Sequence, residues 1–233
     1  MNARLLLILA TAAAAVAGRP SSPPQTGELS AADRATIDSG RQILRQERVR
    51  HSAWPRVTVH QFIDATPGEA AAVFFDYGRH STYIPGLERS VIARRITALV
   101  VEVDYVLDVP FFTDEDYTVR DSLSISGDGT SYRVDWVKVR ARSTKGIAGS
   151  ARFEPYRNAR TGTDGTLLTY ENLVVPGQRL AGPLKGRAIR QVGETATAVA
   201  RRIESQRTGD RSLLEAQLAA LRTALAGVHP PDR

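Results

Sequence analysis

From Trp54 onward, apolar and polar positions alternate with a period of two over most of the chain. Val57, Val59 and Ile63 alternate with Thr58, His60 and Phe62, which predicts a strand with one buried face. Thr66-Pro67-Gly68-Glu69 then combines an N-cap, a proline at the first helical position and a glutamate three residues after the cap. That capping box predicts a helix through Ala70, Val73, Phe74 and Tyr77. After Tyr83-Ile84-Pro85-Gly86 the alternation returns and predicts strands at 88–97, 98–109, 116–126, 131–141, 146–155 and 166–175. Asp128-Gly129 and the glycines of 162–165 supply the turns of two hairpins.

The period then changes. Leu184, Ala188, Val192, Ala196, Val199 and Ile203 recur every three or four residues, one apolar stripe on a helix over 183–207. The small Ala188, Ala196 and Ala200 on it permit close approach to the layer beneath. Ser212 and Glu215 form a second capping-box pattern and open an amphipathic helix over 211–227, through Leu214, Leu218, Leu221 and Leu225. At the other end, Ser30 and Asp33 open a polar helix expected to run over 30–52. Its large apolar residues are Ile37, Ile43, Leu44 and Val49, too thin a stripe for anything but a peripheral position. Runs of hairpin-linked strands flanked by helices indicate an α+β fold. The expectation is a curved antiparallel sheet of six to seven strands, wrapped around the long helix and enclosing a hydrophobic cavity, with 53–207 as the main domain.

Composition narrows the chemistry. The 233 residues are 42% hydrophobic and 24% charged and contain no cysteine. Disulfide scaffolds, zinc–thiolate sites, iron–sulfur clusters and thiol catalysis are thereby excluded. Four scattered histidines (His51, His60, His80, His229) do not suggest a metal site, and no nucleophile elbow, P-loop or dinucleotide fingerprint is present. The net charge of +6 comes mostly from arginine. Between 133 and 160, eight basic residues stand against two acids; a solvated sheet face and a patch for anionic membranes or acidic partners both fit this pattern. Nucleic-acid binding is not expected, because the arginines are not gathered into one motif.

Residues 1–17 have a basic start at Arg4, an apolar run from Leu5 to Ala17 and a terminal Ala15-Val16-Ala17, the form of a secretory signal peptide. The run falls short of the ~20 residues of a spanning helix. Cleavage near Ala17 would leave an exported, periplasmic or secreted protein, with 18–29 as a Pro/Ser-rich linker; an uncleaved anchor is the alternative.

Four stretches between Trp54 and Arg207 resemble the START, polyketide-cyclase and coenzyme Q-binding superfamily of helix-grip proteins. They are Phe62 to Ala70, Asp76-Tyr77 with Tyr83-Ile84-Pro85-Gly86-Leu87, Pro110-Phe111-Phe112 with Asp116-Tyr117-Thr118-Val119, and Gly165 to Tyr170 with Val175-Pro176-Gly177. Glu115 stands where START domains usually carry arginine, so a ligand salt bridge to that arginine does not transfer. The resemblance implies a carrier of a hydrophobic ligand such as a sterol, quinone or phospholipid. It also leaves room for a cyclase or condensing enzyme, or for a pocketless module that binds envelope proteins.

Candidate cavity residues follow from shared strand faces: Tyr105, Tyr132, Trp136 and Lys138, and Tyr170 with Asn172. These aromatics either line a cavity or fill the space between sheet and helix. Lys138 beside Trp136 would be a base or Schiff-base amine if desolvated, or else reaches past the strand end into water. Phe111 and Phe112, facing Pro176, Gly177 and Gly182, are expected to gate the entrance. Asp114, Glu115 and Asp116 read as a solvated turn rather than a metal loop. No catalytic residue, metal or cofactor is expected. The expected partners are a hydrophobic small molecule or lipid and, transiently, a membrane surface, with the chain as a monomer.

Overall fold

The computed structural model describes residues 29–108, 114–177, 182 and 184–227. Ser30 caps α1 (Ala31–Asp38) through a capping box with Asp33. The chain then turns at Gly40, whose φ of +81° suits glycine, and enters β1 (Ile43–Glu47). The single helix expected over 30–52 is therefore two elements. Ile43 and Leu44 are adjacent, which fits neither a helical nor a strand period, and no residue of this edge strand is fully buried. Pairing with β2 (Arg56–Ile63) stabilises it instead.

Thr66 caps α2 (Pro67–Phe75) with Glu69 closing the box, as the sequence predicts. A 3-10 helix (Tyr77–Thr82) leads to β3 (Leu87–Arg95), β4 (Val100–Leu107), β5 (Glu115–Ile125), β6 (Tyr132–Ala141), β7 (Gly146–Arg157) and β8 (Asp164–Val175). The eight strands form one antiparallel sheet in the order β1-β2-β8-β7-β6-β5-β4-β3. The strand beyond the expected six to seven is β1.

α3 (Lys185–Gly209) lays Val192, Ala196, Val199, Ala200 and Ile203 into the core, the stripe read from the sequence. α2 and α3 both pack on the sheet, and α4 (Arg211–Ala226) packs on α2. The capping residue of α4 is Asp210, whose carboxylate accepts from the Leu213 N–H at 3.3 Å, while Ser212 donates to Asp210. The expected Ser212 and Glu215 box is thus replaced by a cap two residues earlier. A buried Gln206–Gln217 hydrogen bond of 3.1 Å ties α3 to α4.

Many of the arginines of the 133–160 run are paired: Arg133 with Asp135, Arg140 with Asp104, Arg142 with Asp116, and Arg157 with Asp164. Much of the 133–160 basic run is a solvated mosaic of ion pairs. Among the described residues no helix is long and apolar enough to cross a membrane.

Candidate functional site: a cavity between sheet and helix

One register row crosses the sheet beneath α3: Val101, Asp121, Trp136, Gly149, Asn172 and Val57. Gly149 makes this row unusual. A Cβ there would stand 2.3 Å from the Glu171 carbonyl and 2.5 Å from the Trp136 ring, so the indole leans across the place where a side chain is missing. Its Nε1–H donates to Asn172 Oδ1 at 3.3 Å, and its ring meets Tyr170 at 5.3 Å between centroids.

Between this row and the first turns of α3 lies a cavity of about 210 Å³. Phe74, Tyr105, Tyr117, Trp136, Tyr170 and Ile147 supply much of the wall. Leu107, Asp108, Leu184, Arg187 and Gln191 lie at the end where the chain leaves β4 and enters α3. Mostly apolar walls with a few inward polar groups are the usual make-up of a small-molecule site.

Tyr105, Trp136, Tyr170 and Asn172 come together in this wall. Tyr132 and Lys138 are not among the lining residues, although they share the face of Trp136. α2 covers that end of the strand, and the Tyr132 ring packs over Gly68 at its start. Lys138 Nζ reaches the Thr144 carbonyl at 3.5 Å instead. Of the expected gate, Phe111 and Phe112 lie outside the described residues. Pro176 is buried, and Gly177 backs so closely onto the Ser143 carbonyl that a Cβ would stand 2.6 Å from it. Gly182 is exposed, with open space around it.

Glu115 has a structural task. Its carboxylate accepts from the Ser143 hydroxyl at 2.5 Å, the Ser143 N–H at 3.0 Å and the Thr144 N–H at 2.8 Å, pinning the β6–β7 loop. Burial pushes this carboxyl up, but the three donors outweigh it and hold it below its ordinary value. Asp116 pairs with Arg142. Among the described residues no cluster of His, Asp or Glu is arranged to hold a metal ion.

Two functional candidates escaped the sequence reading. His80 is buried, with Nε2 2.8 Å from the Phe74 carbonyl and Nδ1 3.0 Å from the Tyr105 hydroxyl. A carbonyl only accepts, so Nε2 carries the proton and Nδ1 accepts from Tyr105. Burial lowers the imidazole pKa to about 4, against the opposing pull of the Phe74 carbonyl and Asp76, so the ring is neutral at physiological pH. The second is Asp121, 3% exposed, which lines the cavity. Its Oδ2 has no hydrogen-bond partner among the described residues, and burial raises its pKa to about 8. The signal was available: in the alternation Tyr117, Val119, Asp121, Leu123, Asp121 is the charge on the apolar face.

The backbone arrangement is that of known proteins. A STAR-related lipid transfer protein fragment from Xanthomonas axonopodis superposes with a TM-score of 0.59 at 15% identity, covering 70% of this chain and 92% of that one. This is the START, or helix-grip, fold. Human StAR-related lipid transfer protein 5 matches this chain in the same way (TM-score 0.53, 12% identity, 70% of this chain and 86% of that one). So does a START superfamily protein from Mycobacterium smegmatis (TM-score 0.51, 14% identity, 64% and 97%). No family sequence model and no curated protein matches the chain. At these identities the likeness shows the START fold alone.

Proposed function

We propose that this START-fold chain binds a hydrophobic, lipid-like molecule in the cavity and carries it through water. The observation that supports this most directly is the aromatic wall of Phe74, Tyr105, Tyr117, Trp136 and Tyr170, reached between the end of β4 and the start of α3. Hiding a lipid's hydrocarbon surface is worth ~25 cal/mol per Å², enough to draw such a molecule out of water. The lipid transfer proteins that share the fold are consistent with the reading. We further propose that residues 1–17 direct export and are removed near Ala17, which places the carrier in an aqueous compartment outside the cytoplasm. Native mass spectrometry of protein purified from its own cells tests both parts. A bound lipid and a mature chain starting near Gly18 are expected; an empty protein that takes up no lipid from vesicles overturns the carrier.

A second reading has one specific observation in its favour. The His80–Tyr105 pair and the Asp121 carboxyl belong to the same cavity region, so an apolar substrate held there would meet both a hydrogen-bonded phenol and an acid. Turnover of a bound substrate, seen as a mass change in the extracted ligand, would favour this enzyme over the carrier.

A further inference from the structure

Among the described residues, the cavity wall holds a buried acid, Asp121, whose Oδ2 has no hydrogen-bond partner. Asp121 sits at an inward position of β5, between Val101 of β4 and Trp136 of β6. The donor on its cross-strand partner, the indole N–H of Trp136, is committed to Asn172, and Gly149 leaves room for the ring to lean that way. Tyr105, another cavity-wall donor, gives its hydroxyl proton to His80. A buried polar atom left without a partner is costly, and one kept on a cavity wall is explained most simply by a partner that arrives with the ligand.

Resting on the carrier reading, we propose that Asp121 is the polar anchor of the cavity: as a neutral acid it donates a hydrogen bond to an acceptor oxygen, carbonyl or hydroxyl, on an uncharged, otherwise apolar ligand. Charge points the same way. Among the described lining residues the one full cation is Arg187, exposed on the first turns of α3 near the mouth, so no protein cation compensates an ionised carboxylate deep in the wall. An apolar environment favours the protonated form, and that form supplies the donor an oxygen acceptor needs.

The neighbours leave Asp121 as the group that titrates in the working range. Tyr105 of β4, Tyr117 of β5, Tyr170 of β8, and Tyr77 and Tyr83 around the 3-10 helix are all raised above their ordinary value, chiefly by burial. His80 of the 3-10 helix is neutral above about pH 5. Glu115 of β5 is held ionised by its donors; Asp108 at the end of β4 and Arg187 of α3 lie toward the mouth. Ionisation of Asp121 near pH 8 removes the donor and sets a negative charge against the ligand oxygen. Binding of a ligand whose oxygen only accepts, a carbonyl, therefore weakens in alkali.

The test uses probes of one shape measured by calorimetry on the full chain: 2-acetylnaphthalene, with a carbonyl; 2-isopropylnaphthalene, without one; and 2-naphthylmethylamine, a cation. Wild type is expected to prefer the ketone over the hydrocarbon by about tenfold at pH 7, the scale of one buried hydrogen bond. Ketone affinity should fall about tenfold between pH 7 and pH 9, as one proton is lost near pH 8. Asp121→Asn, which keeps a donor, should retain the preference and lose the pH dependence; Asp121→Val should lose the preference and still bind the hydrocarbon. An unchanged preference in Asp121→Val overturns the anchor while leaving the carrier standing. Tighter binding of the amine than of the ketone, lost in Asp121→Asn, also overturns it, in favour of an ionised Asp121. If none of the three probes binds, the carrier reading falls together with the anchor.

Discussion

Replacing Asp121 by Asn removes a titratable group while keeping the size and shape of the side chain, so the fold reports directly on what the carboxyl costs it. The unfolded carboxyl titrates near 3.8 and the buried one near 8. Between these values the native state holds a proton that the unfolded state has released, so native stability falls as pH rises and levels off above about pH 8. One pH unit corresponds to ~1.36 kcal/mol. From 3.8 to 7 this amounts to roughly 4 kcal/mol as a ceiling. Asp121→Asn escapes this cost, so its stability relative to wild type should rise by up to that amount between about pH 4 and pH 7. Urea unfolding of both proteins at pH 5, 6, 7, 8 and 9 measures it. The advantage of the variant should grow by up to ~1.4 kcal/mol per unit from pH 5 and flatten above pH 8. Glu115 and the other carboxylates are common to both proteins and cancel in the difference. An advantage that does not change with pH would refute the reasoning, because it would mean that Asp121 ionises alike in the folded and unfolded chains.

Other substitutions read other parts of the site. Trp136→Ala removes a ring that packs on Phe74 and Tyr170 but faces the cavity on one side. It should cost about 3 kcal/mol in unfolding, the low end for a large aromatic, while weakening ligand binding by more than that; normal binding by the surviving folded protein would make Trp136 a core residue alone. Gly149→Ala forces a Cβ into the Glu171 carbonyl and the Trp136 ring; an overpacking loss of about 1–3 kcal/mol and a shift in Trp136 emission are expected. Glu115→Gln loses the charge that the Ser143 and Thr144 donors hold. It should cost about 1–3 kcal/mol at pH 7; because the native carboxyl is held below its ordinary 4.5, the difference should persist above that value and be lost as pH falls from it through the lower native one.

The local elements were legible in the sequence because each depends on near neighbours. The Thr66–Glu69 box, the two-residue alternation of the strands and the stripe from Val192 to Ile203 follow from backbone periods of 2.0 and 3.6 residues, and the structure places them as read. Their order was enough to reach a sheet gripping a long helix. What tertiary structure alone decided concerns contacts between distant residues. Ile43–Glu47 became a strand because β2 offered an unpaired edge, not because its own five residues prefer one. Tyr132, Trp136 and Lys138 share one strand face, but only the placement of α2 and the β6–β7 loop leaves Trp136 at the cavity while covering Tyr132 and occupying Lys138. The sequence shows a charge at 121 on an apolar face. That its Oδ2 has no partner among the described residues depends on an indole leaning over Gly149 toward Asn172, 36 positions beyond Trp136 along the chain. Periodicity says which side of a strand a residue occupies, while the groups that face it there are brought by elements the local pattern does not specify.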